Sequence, residues 1–268
     1  PETKTDIIKI WIKIKIYSNN KFIYINNSYI KDFKMLTIII PVYNEKKSIR
    51  LIIKKTIQIK HFTKQIIIVD DASSDGTTDI LKNEYLKKKQ IAKIIFHKKN
   101  MGKGAAIRSA QKFIKGKYVG IQDADLEYNP LDLKKIYNFI NKNDYDVVYG
   151  SRVLNKNTFE NTKNFTHLIR IWGNIFLTKV SNFINNQSLT DAHTCYKVFN
   201  SKIFKKITLK ENGFAFCPEV TTKISKMKKI IKEISISYNG RTYNDGKKIT
   251  SFDGLVALYS LIKYRYFE

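Results

Sequence analysis

The sequence predicts an α/β fold whose central sheet is mostly parallel and flanked by helices. Three observations carry that reading. Short apolar runs alternate with longer segments of helical period from residue 36 to about 150, which is the pattern of successive βαβ units. The acidic clusters Asp70-Asp71 and Asp123-Ala124-Asp125 directly follow two of the apolar runs, and ligands of such sheets bind beyond the carboxyl ends of the strands. Glycine and proline are sparse, 11 and 4 in 268 residues, while 43% of the chain is hydrophobic, a composition suited to a packed core rather than a low-complexity chain.

Taken in order, residues 36–40 read as a strand that Pro41 ends, because proline offers no ladder donor. Residues 46–59 place Ile49, Ile52, Ile53 and Thr56 on one helical face. A second strand at 65–69 leads to a helix at 76–89 with Ile80, Leu81 and Tyr85 inward. Then come a strand at 93–96, a helix at 103–114, a strand at 118–121, a helix at 131–140 and a strand at 146–149. Beyond residue 150 the alternation weakens. Residues 165–185 read as helix, 188–200 as a loop entering a strand, and 233–238 as a further strand. Residues 251–266 form an aromatic, basic amphipathic helix with Leu255, Leu258, Tyr259, Ile262 and Tyr266 on one face and Lys263 and Arg265 nearby. That face suits either packing onto the domain or docking at an anionic membrane surface.

Residues 1–34 differ in character: 8–16 alternates Ile or Trp with Lys, and Met35 stands directly before the first core strand. The expected organisation is an N-terminal extension over 1–34, upstream or dispensable, a catalytic domain over 35–250 and a C-terminal helix over 251–268. No apolar run is long enough to span a bilayer, and Lys9, Lys13 and Lys15 interrupt the one stretch resembling a signal peptide. Cys195 and Cys217 lack metal or disulfide-framework spacing, which fits a reducing compartment. The 49 Lys and Arg against 23 Asp and Glu give a formal charge of +26 and a pI near 9.8. Such a balance favours polyanionic partners, but abundant Lys, Ile and Asn would also follow from AT-rich coding bias. Charge alone therefore selects no function.

The chemistry concentrates at strand ends. In Gln122-Asp123-Ala124-Asp125-Leu126-Glu127 two carboxylates one residue apart repel unless a cation lies between them, and Mg²⁺ or Mn²⁺ commonly bridges carboxylates to phosphates. A solvated turn before the Asn129-Pro130 helix start is the plain alternative. In Val69-Asp70-Asp71-Ala72-Ser73-Ser74-Asp75-Gly76-Thr77 the run from Asp71 imitates a calcium loop, but the twelfth position is Lys82 and a strand precedes it. Carboxylates after such a strand suit a base or ribose. Asn100-Met101-Gly102-Lys103-Gly104 opens a helix without the third glycine of a dinucleotide fingerprint, since Ile107 stands there. Its N-terminus and Lys103 still suit an anion.

These three motifs, together with Pro41-Val42-Tyr43-Asn44-Glu45 and Gly150-Ser151-Arg152, occur in an order that resembles the family 2 glycosyltransferases, and within them the dolichyl-phosphate mannose and glucose synthases. The resemblance covers about residues 36–250. It implies a GT-A, Rossmann-like nucleotide-diphospho-sugar transferase fold, and a metal-dependent inverting transfer of a hexose from a UDP- or GDP-sugar to a polyprenyl phosphate. By the same resemblance Pro41, Tyr43, Glu45 and Asp70 bind the nucleoside with Asp71 in support and Lys103 near the diphosphate. Asp123 and Asp125, aided by Glu127, hold Mg²⁺ or Mn²⁺. Arg152 meets the donor diphosphate or the acceptor phosphate. Asp191 lies near the reaction centre and Lys197 grips the acceptor phosphate, in a loop where many relatives carry Arg and an earlier Gly. Glu219 stands at the rear of the site, and Arg241 with Lys247 and Lys248 belongs to a basic loop closing over the phosphates. A cytoplasmic protein, peripheral at the inner face of a membrane, is the implied setting.

A phosphate monoester is already anionic near neutral pH, with about −1.5 to −2 charges, so it needs orientation more than proton removal. A hydroxyl acceptor would instead require Asp191 as a general base. A nucleic-acid-binding module, suggested by the charge, would leave the paired carboxylates at strand ends without a purpose; nucleic acid is not an expected partner. His193 invites a catalytic role as a neighbour of Asp191, although a structural histidine fits its position as well. His61, His97 and His167 belong to no constellation.

Overall fold

In the computed structural model, residues 35–154, 165–241 and 251–268 are described; the expected extension over 1–34 and the basic pair Lys247 and Lys248 lie outside them. The strands are β1 (Leu36–Val42), β2 (Lys64–Asp70), β3 (Lys93–Phe96), β4 (Tyr118–Ile121), β5 (Val147–Ser151), β6 (Lys197–Asn200) and β7 (Ile231–Ser235). They form one seven-stranded sheet in the order β3-β2-β1-β4-β6-β5-β7. β1 runs parallel to β2 and β4, β2 to β3, and β5 to β7, while β6 is antiparallel to both β4 and β5. The mostly parallel sheet expected from the sequence is therefore present, with one reversed strand.

Helices cover both faces: α1 (Ile49–Gln58), α2 (Thr77–Ile80, widening into a π-helical turn at Leu81–Tyr85), α3 (Lys103–Gln111), α4 (Pro130–Asn143), α5 (Phe165–Asn185), α6 (Ser201–Lys206), α7 (Phe216–Lys226) and α8 (Ser251–Ile262, with a π-helical turn at Lys263–Phe267). With both sides covered, a strand buries consecutive residues instead of alternate ones, and every residue of β1 is buried. Ile38 and Ile40 point to one side, into a core shared with Ile52 and Ile53 of α1 and Leu133 and Ile136 of α4. Ile39 joins the opposite core with Ala106 and Ala110 of α3, Phe204 of α6 and Val220 of α7.

Three boundaries stand out against expectation. Pro41 does not end β1; it lies opposite Val69 in register. The pairing of β1 with β4 stops at Ile39 and Ile121, so at Pro41 the strand has a neighbour on one side only, where a missing donor is tolerated. β7 occupies Ile231–Ser235 rather than 233–238, because the chain leaves the sheet after Ile236, where the Ser237 amide donates to Asp132 at 2.9 Å. The short helix after β2 likewise stops before residue 89.

The loops leaving β1, β2 and β4 share one edge of the sheet. Each contains a non-glycine residue in the left-handed region: Asn44 at φ 50°, Ala72 at φ 60° and Leu126 at φ 64°. Such backbone is uncommon and clusters at functional loops. Because β6 runs backwards, with Val198 opposite Gly120 and Asn200 opposite Tyr118, its leading loop arrives at that same edge.

Candidate active site

A cavity of about 320 Å³ opens at this edge. Residues from six segments line it: Pro41, Tyr43 and Glu45 after β1; Asp71 after β2; Gly102 and Lys103 at the start of α3; Asp123, Asp125 and Glu127 after β4; Arg152 after β5; and His193 and Cys195 before β6, with Tyr238 and Arg241 closing the far side. Its floor is aromatic. Tyr128 stacks on Tyr196 with ring centres 4.6 Å apart and lies 5.1 Å from Tyr238. The Tyr196 hydroxyl donates to the Gln122 side chain at 2.5 Å, so the residue preceding Asp123 anchors this floor.

The carboxylates face cations. Lys103 Nζ donates to Asp123 at 2.5 Å and to the Cys195 sulfur at 3.0 Å. Arg241 forks onto Glu45, with contacts of 3.1 and 2.8 Å, and lies 3.5 Å from Asp125. Glu127 accepts from the Tyr238 hydroxyl at 2.8 Å and the Arg241 amide at 2.7 Å. Among the described residues no group of three or more His, Cys, Asp or Glu side chains is arranged to hold a metal ion. The donor set still has the right chemistry for a hard cation. Burial, then the negative charges of Asp123 and Glu127, push the Asp125 carboxyl up to about 7, against the Glu127 amide and Arg241. Most of that rise is burial, and the part that comes from the neighbouring carboxylates is what a bound cation would relieve.

The loop after β2 is held internally. Asp71 accepts from the Met101 and Gly102 amides at 2.9 and 2.6 Å, capping the start of α3, and from His97 at 2.6 Å; His97 in turn meets Ser109 at 2.9 Å. His97, to which the sequence assigned nothing, thus ties Asp71 to α3. The glycines of that turn serve packing: a Cβ on Gly104 would collide with the Glu211 carbonyl, and one on Gly102 with the Asn212 carbonyl. Glu219, fully buried, accepts from the Lys210 and Glu211 amides and from Lys223. It shapes the segment against which α3 rests.

Three of the expected residues do not line the cavity. Asp70 does not line the cavity; it is buried and accepts from Ser73 and from the Thr78 hydroxyl, closing its own loop. Asp191 is buried beneath Arg152, which donates to it from its amide, Nε and Nη2 at 3.1, 2.7 and 2.7 Å, while the Asn174 amide adds a bond at 3.0 Å. Despite burial, the Arg152 charge holds the Asp191 carboxyl below its usual range. A carboxylate so engaged positions Arg152 and is a poor base. Lys197 is buried away from the cavity, its Nζ bonded to the Ala192 carbonyl at 2.8 Å and 3.6 Å from the centre of the Tyr149 ring. It supports the 188–196 loop from behind and is not among the residues that line the cavity.

Sequence reasoning also missed residues. Glu233 of β7 accepts from the Thr190 amide and hydroxyl and the Asp191 amide at 2.7, 3.0 and 3.0 Å, fixing the loop that carries Asp191 and His193. Asn174 of α5 touches both Arg152 and Asp191. Neither has a motif; a lone acid in a β7 flanked by isoleucines was the only available signal.

Comparison with known proteins agrees with this architecture. The model of the family described as Glycosyl transferase family 2 matches residues 37–208. A dolichyl-phosphate beta-glucosyltransferase of Dictyostelium discoideum is 27% identical over 251 residues, spanning 86% of this chain and 74% of that protein. A UDP-N-acetylglucosamine–dolichyl-phosphate N-acetylglucosaminyltransferase of Methanococcus voltae is 27% identical over 247 residues, spanning 85% and 95%. In fold, the chain is similar to glucosyl-3-phosphoglycerate synthase of Mycobacterium tuberculosis, solved with Mn²⁺, UDP and phosphoglyceric acid, with a TM-score of 0.65, 11% identity and coverage of 88% and 80%. The sheet and its flanking helices are those of the GT-A glycosyltransferases.

Proposed function

Because the chain belongs to glycosyl transferase family 2, we propose that it moves a hexose from a UDP- or GDP-sugar to a polyprenyl phosphate with the help of Mg²⁺ or Mn²⁺. One observation carries the proposal: three carboxylates, Asp123, Asp125 and Glu127, share a cavity with Lys103, Arg152 and Arg241 at the carboxyl edge of the sheet. Carboxylates suit a divalent cation and the basic side chains suit phosphates, so the cavity fits two anionic substrates meeting at one metal.

In this reading Pro41, Tyr43, Glu45 and Asp71 form the nucleoside wall. Asp123 and Asp125 would hold the cation, and Glu127, which here accepts from Tyr238 and the Arg241 amide, would be the third carboxylate available to it. When bound, the cation neutralises the diphosphate that leaves the anomeric carbon. Lys103 and Arg241 release Asp123 and Glu45 to meet phosphate oxygens, and Arg152, aimed by Asp191 and Asn174, orients the acceptor. The engagement of Asp191 supports an acceptor that needs no base, and the names of the dolichyl-phosphate relatives support the same class. The M. tuberculosis synthase, solved with Mn²⁺ and UDP, supports a metal and a nucleotide donor.

The lipid tail requires an apolar neighbour. Trp172 and Phe176 of α5, which flank Asn174, are exposed, as are Leu255, Tyr259, Ile262 and Tyr266 of α8. α8 packs on α5 and α7 through the opposite side, where Ala257, Leu261 and Tyr264 are buried. The exposed face therefore suits an anionic membrane surface more than intramolecular packing. No helix among the described residues is long and apolar enough to cross a membrane.

The test is a screen of UDP- and GDP-hexoses with Mg²⁺ or Mn²⁺ and a short polyprenyl phosphate, read by mass spectrometry. Transfer to the phosphate is expected, lost with chelator and in Asp125→Asn. Transfer to hydroxyl acceptors alone would overturn the acceptor assignment, and undiminished activity of Asp125→Asn would overturn the metal site.

A further inference from the structure

We propose that His193 is a specificity-determining residue whose Nε2 accepts a hydrogen bond from a hydroxyl of the bound hexose; the inference rests on the transferase reading above. His193 lines the cavity that holds Asp123, Asp125 and Arg152, yet its Nε2 is buried and has no hydrogen-bond partner. Buried polar atoms of native proteins rarely stay so, and at a ligand cavity the missing partner is most simply the ligand.

The chemistry of the ring narrows that partner. A backbone hydrogen bond joins the imidazole to Leu177. With Nε2 unpartnered, the nitrogen involved is Nδ1, and since a carbonyl only accepts, Nδ1 carries the proton. Burial first, then the charge of Lys197 and with it that of Arg152, lower His193 to about 4, with Asp191 and the Leu177 bond opposing. A neutral ring protonated at Nδ1 presents a lone pair at Nε2. What it lacks is therefore a donor.

The donor's diphosphate oxygens are acceptors at neutral pH, and a phosphate monoester at about −1.5 to −2 charges keeps an O–H on at most about half of its copies, so neither is a dependable donor. The nucleoside wall follows β1 and β2, whereas His193 precedes β6, on the other side of β4 and its Asp123–Asp125 pair. The donors that remain are the hydroxyls of the transferred sugar. So weak a base removes no proton from them; the contact selects which hydroxyls fit.

The experiment compares the full-length wild type, His193→Phe and His193→Gln, using the nucleotide-hexose that supports transfer and its monodeoxy analogues. The wild type is expected to discriminate against one deoxy sugar by roughly ten-fold to a hundred-fold in kcat/KM. His193→Phe should use parent and deoxy donor alike, His193→Gln should recover part of the preference, and both should bind the free nucleoside diphosphate as the wild type does. A common loss of rate with every donor, leaving the ranking intact, would mean a scaffold role and overturn the inference. Should His193→Phe not fold, the ranking in His193→Gln decides: weakened discrimination supports the contact and an unchanged ranking overturns it. If the wild type transfers from no nucleotide-sugar, the transferase reading fails and this inference with it; transfer with unaltered ranking removes the His193 contact alone.

Discussion

At the scale of the residue, the place of Asp123 and Asp125 at the cavity was legible because their spacing and their position after an apolar run needed no knowledge of side-chain direction. Lys197 was not. Its match to the family's acceptor-side loop suggested phosphate, but the first residue of β6 points into the layer beneath, between Ala192 and Tyr149. Burial lowers its ammonium to about 8. Below pH 8 the lysine is charged in both the folded and unfolded chain, and the folded state carries the desolvation penalty. Between 8 and its ordinary value of 10.5 only the unfolded chain stays protonated, so this group makes stability rise with pH. Lys197→Met should therefore equal or exceed the wild type in urea unfolding at pH 7 and lose that alkaline rise relative to it by pH 10. The acceptor KM should stay near that of the wild type. A large rise in acceptor KM at unchanged donor KM would return Lys197 to the phosphate site.

At the scale of the element, helical and strand periods placed every strand from β1 to β5 within a few residues, because both faces of the sheet are covered and apolar runs are continuous. The second half was harder to read. The loop before β6 is held by Glu233, Asn174 and Thr178, whose amide or oxygen partners are distant in sequence, and no local pattern records such contacts. The Asn100–Gly104 turn was legible as a helix start but not for its cause: Asp71 caps it, and its glycines admit the 211–212 backbone. Gly104→Ala should thus cost ~1–3 kcal/mol by overpacking and weaken donor binding by displacing Lys103. Gly213→Ala, where a Cβ meets nothing within 4 Å, should change stability by less than about 0.5 kcal/mol. Equal effects of the two substitutions in denaturant titrations would contradict this packing argument.

At the scale of the whole molecule, the charge of +26 and the exposed aromatic face of α5 and α8 together suit an anionic bilayer, where apolar insertion and electrostatic attraction add. The full chain should co-sediment with vesicles of phosphatidylglycerol and phosphatidylcholine more than with phosphatidylcholine alone, and salt should weaken the binding. The double substitution Leu255→Ser with Tyr259→Ser should reduce binding to both vesicle types while leaving transfer to a short, soluble acceptor intact. Equal sedimentation of wild type and variant would remove α8 from the contact.

The reversed direction of β6 has a consequence for how such a protein diversifies. In a wholly parallel sheet only segments that leave strands reach the carboxyl edge, and each must then fold into the next crossover helix. β6 delivers a segment on its way in, anchored afterwards by a ladder to β4 and β5 rather than by a helix start. A cavity-facing side chain of this segment such as His193 can therefore change without rewriting any helix N-terminus, while Asp191 stays tied to Arg152 and the strands that carry Glu45, Asp71 and Asp123 are left untouched. The reversal thus lets one cavity wall be held by a backbone ladder, which is indifferent to the side chains that stand before it.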